Sequence, residues 1–166
     1  MKEIDITRLP FKGVDLWMNQ WLLLTAGTLE DCNMMTVAWG SVGCMWSKPF
    51  VQVVVRPHRY TYGYMEKSDS FTLCAFPEKY RDALQILGTL SGRDGNKLSR
   101  TNLTLQASTR VLAPSYAEAS LVFECRKIYF QDINPQGFLD PAIQKNYPAC
   151  DYHRVYFGEI IVALSE

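Results

Sequence analysis

Apolar positions in this chain fall mostly in short runs or strict alternation, and only a few stretches repeat at three and four. Six segments read as strands: Trp21 to Thr25, Met35 to Val42, Phe50 to Val55, Phe71 to Phe76, Leu121 to Phe130 and Val155 to Leu164. Each is rich in β-branched and aromatic residues and bounded by Gly, Pro, Asn or Asp. Val51, Val53 and Val55 alternate with Gln52 and Val54, giving one wholly apolar face and a second, half-apolar one. Such two-sided apolarity suits a barrel strand whose outer face meets a partner or a covering helix. The polar stretch Gly27 to Asn33 is short enough to close an antiparallel hairpin, which would set Met35 to Val42 deep in a sheet.

Helical spacing is clearest from Pro77 to Leu87. Pro77 suits a first turn, Glu78 complements the amino-terminal dipole, and Tyr80, Leu84 and Leu87 share a face, with Gly88 as the stop. A shorter helix is expected over Tyr60 to Lys67, although Gly63 costs it about 1 kcal/mol relative to Ala. Another begins at Asp140, a capping residue followed by Pro141. Strands outnumber helices without regular alternation, which disfavours a doubly wound parallel sheet and gives an α+β class, mainly β with flanking helices. No repeat, low-complexity tract or linker divides the 166 residues, so one domain over 1–166 accounts for them. Leu98 to Ser120 alternates in places but carries no isolable chemical signal.

Charge and composition remove several classes of function. Seventeen Lys and Arg balance seventeen Asp and Glu, so no overall field draws the chain to nucleic acid or an anionic membrane, and any anion site is local. The Trp21 to Leu24 run is far shorter than the roughly 20 residues that span a bilayer. Met1 to Leu9, with Asp and Glu among its apolar residues, lacks the plan of a signal peptide. Five cysteines, an odd number without a CxxC pair, read as reduced thiols of a cytoplasmic protein. His58 and His153 lie far apart, and no metal site is expected.

Candidate chemistry gathers in four places. VRPHRYT at Val55 to Thr61 ends an apolar strand with Arg56 and Arg59, a hydroxyl and a helix start, which together would make a phosphate trap; standing alone, a surface turn with two solvated arginines is the better reading. GTLSGRDGNK at Gly88 to Lys97 joins glycine-rich backbone to Ser91, Arg93, Asp94 and Lys97; it lacks Walker spacing, and by itself a mobile hydrophilic loop is the better reading. NMMTVAWGSVGCMWSK at Asn33 to Lys48 sets polar groups among apolar ones, so that rigid backbone could read the edge of a heteroaromatic ring while Trp39 or Trp46 covers a face; the plainer reading puts both tryptophans in the core or an interface. His153, beside the last strand, could donate a proton or a hydrogen bond near a redox cofactor, whereas His58 reads as exposed and inert.

In order along the chain, NMMTVAWGSVGCMWSKP, VRPHRYTYGYMEKSDSFTL, FPEKYRDALQILGTLSGRDGNK and DYHRVYFGEI resemble the flavin reductase-like, FMN-binding split-barrel family, particularly its flavoredoxin branch. The resemblance implies a six-stranded Greek-key barrel with flanking helices, a homodimer, and FMN close to the subunit interface. It places Asn33, Thr36, Ala38, Trp39, Gly40 and Ser41 along the isoalloxazine ring, and Arg56, Arg59, Tyr60 and Thr61 around the ribityl phosphate. Ser91, Gly92, Arg93, Asp94 and Lys97 would close the site. His153, five residues before Gly158, matches the spacing of a histidine near the nicotinamide in related oxidoreductases, although Tyr152 rather than Asp precedes it. The function implied is transfer of electrons through FMN from NAD(P)H or a ferredoxin-like donor. A barrel that stores or senses flavin or haem without turnover would look much the same. Interleaved Arg56, Arg59, Tyr60, Tyr62 and Tyr64 would also suit single-stranded nucleic acid, but net neutrality argues against it.

Overall fold

The computed structural model describes residues 1–8 and 12–166; Leu9, the end of the amino-terminal segment considered above, lies outside the described residues. All six predicted segments become strands of one sheet. They are β2 (Leu22–Gly27), β3 (Cys32–Val37) with β4 (Gly40–Met45), β5 (Lys48–Val55), β6 (Ser70–Ala75), β9 (Leu121–Asp132) and β10 (Arg154–Ser165). The short β1 (Lys2–Ile4) joins the end of β10, and β7 (Leu105–Gln106) with β8 (Ser115–Tyr116) forms a separate ribbon. The sheet order is β3-β2-β6-β9-β10-β5-β4, antiparallel throughout.

Two corrections follow from that order. The segment Met35 to Val42 is not one strand, because the ladder breaks at Ala38 and Trp39. Nor is it deep in the sheet: β3 and β4 are its two opposite edges. A flat sheet of this width would hold its edges roughly 29 Å apart at about 4.8 Å per strand step, whereas the two-residue link spans about 10 Å at full extension. The sheet must therefore curl until its edges nearly meet, a barrel split between β3 and β4.

Curling gives β2 two buried faces. Leu22, Leu24 and Ala26 point to a barrel interior shared with Val51, Val53, Val55, Phe71, Phe123 and Tyr156. Leu23 faces outward to a second core with Cys74, Leu84, Leu87, Tyr116 and Val122, beneath a helix. That helix, α3 (Arg81–Thr89), follows a 3-10 turn at Glu78–Tyr80, so the predicted Pro77 to Leu87 helix is regular only in its second half. Gly88 does not stop it. An added Cβ there would stand 3.1 Å from Thr36 Cβ, so glycine lets α3 lie on β3, where Thr36 Oγ1 donates to Leu84 O at 2.5 Å.

The helix α2 (Tyr60–Lys67) takes its predicted bounds. Its Glu66 accepts from Arg154 Nη1 at 2.8 Å and from Tyr156 Oη at 2.6 Å, which ties its end to β10. Asp140 caps a 3-10 turn, Pro141–Asn146, by accepting from Ala142 N. The featureless stretch before β9 is held from below: buried Glu124 accepts from the Thr109 and Arg110 amides at 2.8 and 2.7 Å.

At the split, α1 (Gly13–Asp15) runs into a π turn, Leu16–Gln20, whose Trp17 packs under Gly40. A Cβ on Gly40 would lie 2.3 Å from Gln52 O and 2.4 Å from Trp17. Gly40→Ala is expected to cost about 2–3 kcal/mol, the usual scale of overpacking, because β4 or Trp17 must move. Urea unfolding monitored by tryptophan fluorescence reads that loss, and a neutral outcome would mean that the edge at β4 is free to shift.

Candidate functional site

Three depressions that share walls form a trough along the β3 edge. At one end is a cleft of about 120 Å³ lined by Arg59, Tyr60, Thr61, Ser91, Gly92, Arg93 and Lys97. Thr89 belongs to this cleft and to a neighbouring hollow walled by Thr36, Ala38, Leu84 and Gly88. Thr36 and Ala38 lead on to a third cleft, of about 230 Å³, lined by Trp39, Val54, Arg56 and His153. The trough is cationic at its start and aromatic at its end.

The cationic end is built on the carboxyl terminus of α3. Lys97 is buried, and its Nζ donates to Leu87 O at 2.8 Å and Leu90 O at 3.1 Å; Arg59 Nη2 donates to Gly88 O at 2.7 Å. These carbonyls end a helix and carry partial negative charge, so they draw cations to this point. Arg93 Nη1 donates to His58 O at 2.9 Å, and its guanidinium lies over Tyr60, 5.3 Å from the ring centroid. Arg59 and Arg93 each spend one N–H and Lys97 two, which leaves most guanidinium donors and one ammonium donor for a ligand. Burial, and then the charge of Arg59, pushes the Lys97 ammonium down to about 8. An anion in the cleft would relieve this strain on three crowded cations.

Close packing shapes the same cleft. Ser91 Oγ accepts from Arg93 N and starts the short turn Gly92–Asp94. A Cβ on Gly92 would stand 2.2 Å from Asn33 Oδ1 and 2.7 Å from Tyr60. Asn33 itself is spent inward, its amide donating to Thr61 Oγ1 at 2.7 Å, while Thr61 donates to Met34 O. Both residues are buried and brace the cleft floor. Asp94 is exposed, and it enters the turn through its backbone, which donates to Ser91 O.

Arg56 does not line the cationic cleft, although its charge, after burial, lowers the neighbouring Arg59. Its Nη1 donates to Asp151 Oδ2 at 2.7 Å, its Nη2 donates to Asn146 O at 2.7 Å, and it borders the aromatic cleft rather than the cationic one. His58 is not idle, since its Nδ1 lies 3.0 Å from the same Asp151 oxygen. Trp39 is half exposed with its ring centroid 5.4 Å from that of His153. Gly40 and Ser41 fall beyond Trp39, on an apolar hollow with Val14, Trp17 and Met18. Trp46 stands away from the trough, exposed at the β4–β5 turn and packed on Tyr129 and Phe157. Tyr147 and Asp151 lie behind the aromatic cleft, bonded to His153 and Arg56 of its lining, and neither was singled out as a site residue from the sequence. A larger cavity, of about 820 Å³, lies across Tyr60 and is bordered by Tyr62, Tyr64 and Lys67.

His153 is 8% exposed. Burial, followed by the nearby charge of Arg56, lowers it to about 4, so the imidazole is neutral at physiological pH. A neutral ring beside a half-exposed tryptophan can donate or accept a hydrogen bond without bringing charge to the cleft.

With this geometry in place, the chain can be set beside known proteins. The family model for the flavin reductase like domain matches residues 19–161. An uncharacterized protein of Archaeoglobus fulgidus is 30% identical over 106 residues, which cover 64% of this chain and 59% of that one, so the match spans less than two thirds of the relative's length. An FMN-binding domain of a flavin reductases-like enzyme from Shewanella baltica has a similar fold, with TM-score 0.70, 21% identity and coverage of 98% of this chain and 75% of its own. A flavoredoxin from Methanosarcina acetivorans gives TM-score 0.67 at 21% identity, covering 100% and 76%. An NADH:FAD oxidoreductase from Streptomyces globisporus gives 0.68 at 16% identity, covering 89% and 74%.

The depressed His153 has a consequence for stability. The unfolded chain binds this proton near pH 6.5 and the folded one near 4, so stability from this group is complete above 6.5 and is lost as pH falls towards 4. At 1.36 kcal/mol per pH unit the loss is at most about 3 kcal/mol. Urea unfolding at a series of pH values is expected to show this slope, and His153→Gln is expected to flatten it.

Proposed function

We propose that this chain, which belongs to the flavin reductase-like domain family, binds FMN along the trough and works as an FMN-dependent oxidoreductase. The observation that carries the reading is the trough's polarity. FMN joins a dianionic phosphate to a hydroxylated chain and a flat ring, and the cationic cleft, the Thr36 and Thr89 hollow and the Trp39 cleft follow in that order. The flavin, when bound, supplies the electron or hydride transfer.

The residues of the chain then have separable tasks. Lys97 and Arg59 hold the phosphate through N–H donors that the α3 carbonyls leave free, and Arg93 through those that His58 O leaves free. Ser91 and Gly92 keep backbone close to it. Thr36 and Ala38 line the passage to the ring, and Trp39 excludes water from its neighbourhood. His153 keeps an uncharged hydrogen-bonding edge there at neutral pH. The reading includes a homodimer, supported by the exposed aromatic surface of Trp46 and Tyr129, and an electron donor that is NAD(P)H or a ferredoxin-like protein.

Reconstitution with FMN should give a yellow protein with the absorbance bands of bound oxidised flavin, and absence of those bands would refute the assignment. Anaerobic addition of NADH and then NADPH is expected to bleach them. Flavin that binds but resists every donor would instead indicate a store or sensor.

A second expectation concerns Lys97. Below pH 8 it is charged and ready for phosphate, and above pH 8 binding must first return its proton. FMN affinity should therefore fall by up to about tenfold per pH unit above 8. Fluorescence titration should show that fall in the native protein and a flatter profile in Lys97→Arg, whose guanidinium stays charged.

A further inference from the structure

Between β9 and β10 the chain makes a long excursion, residues 133–153, that returns to the aromatic end of the trough. Tyr147 on this excursion is 3% exposed, its ring stacked on Phe138 at 5.9 Å and edge-on to His153 at 5.5 Å. The Tyr147 hydroxyl lies 2.9 Å from His153 Nδ1 and has no other hydrogen-bond partner among the described residues. Arg56, over the same ring at 5.0 Å, can donate but not accept.

A buried phenol proton requires an acceptor, and Nδ1 is the one in reach. If Nδ1 carried the proton instead, the phenol proton would be left without a partner, at a cost of about 1–3 kcal/mol. The phenol therefore donates, Nδ1 accepts, and the neutral imidazole carries its hydrogen on Nε2. Nε2 has no partner among the described residues and is not among the buried polar atoms left unpaired there, which places it at the open side of the ring, in the cleft with Trp39. The groups facing His153 from the surrounding elements are Arg56, His58 and Asp151, and burial with Arg56 keeps the ring unprotonated at neutral pH.

We propose that Tyr147 is a positioning residue that fixes His153 as the Nε2–H tautomer, so that the cleft presents a hydrogen-bond donor to the carbonyl oxygen of a planar molecule that enters from the open side of the Trp39 cleft, beside the flavin ring seated there. A carbonyl suits the site because Arg56 disfavours a cation and the Trp39 face favours a flat ring. The tautomer stands independently of the flavin; only the place of this molecule as reaction partner rests on the proposed function.

Nitrogen-resolved NMR of the ¹⁵N-histidine-labelled protein at pH 7, without flavin, reads the tautomer directly. The native protein is expected to show His153 protonated on Nε2 and bare on Nδ1. Tyr147→Phe is expected to shift the ring towards a mixture of tautomers and to weaken benzaldehyde binding, measured by calorimetry on the FMN-reconstituted protein, by about tenfold, while FMN retention is unchanged. A native protein protonated on Nδ1 would overturn the proposal even if the variant fails to fold. So would Tyr147→Phe with the native tautomer and native benzaldehyde affinity. Loss of FMN binding alongside the expected native tautomer would count against the proposed function alone.

Discussion

The structure depends on one short covalent link. Ala38 and Trp39 join strands at opposite edges of the same sheet, so the sheet has to curl and the curl has to leave a seam. From this follow the barrel interior filled by Val51, Val53 and Val55, the second core under α3, and a trough along the unpaired edge of β3. The link also sets Trp39 at the seam, half exposed, where a residue inside a continuous strand would be paired and covered.

The other end of the trough is governed by the end of α3. Carbonyls that the helix leaves unpaired gather Lys97 and Arg59, and Arg93 is held nearby by His58 O. Holding Lys97 there is costly, since burial first and the charge of Arg59 second lower its ammonium. The helix terminus offsets part of that cost, and a bound phosphate would offset the rest. Structural capping and anion recognition here use the same side chains, which is why a loop of ordinary appearance can serve both.

Much of this was legible in the chain, for reasons that can be named. The valines of β5 alternate because one face fills the barrel, and α2 holds its predicted bounds because the chain turns at Pro57 and breaks again after Lys67. The break at Ala38 was hidden, since MTVAWGSV reads as one apolar run and only the curl of the sheet interrupts it. Gly88 was ambiguous: glycine serves a helix stop and a close approach alike, and Thr36, far away in sequence, decides for the second. Arg56 and Arg59 are chemically identical and three positions apart, yet Asp151 claims one and Gly88 O the other. Tyr147 had no signal at all, because its partner His153 is defined only when the 133–153 excursion folds back.

The central claim is that the cationic cleft recognises a phosphate attached to a flavin. Comparing FMN with riboflavin, which differ by that phosphate, tests it most directly by equilibrium titration at pH 7 and constant ionic strength. Recognition by two guanidinium groups and an ammonium in a partly buried cleft predicts that FMN binds at least about a hundredfold more tightly. Equal affinity for the two flavins would contradict the account and leave the cations with the α3 terminus alone.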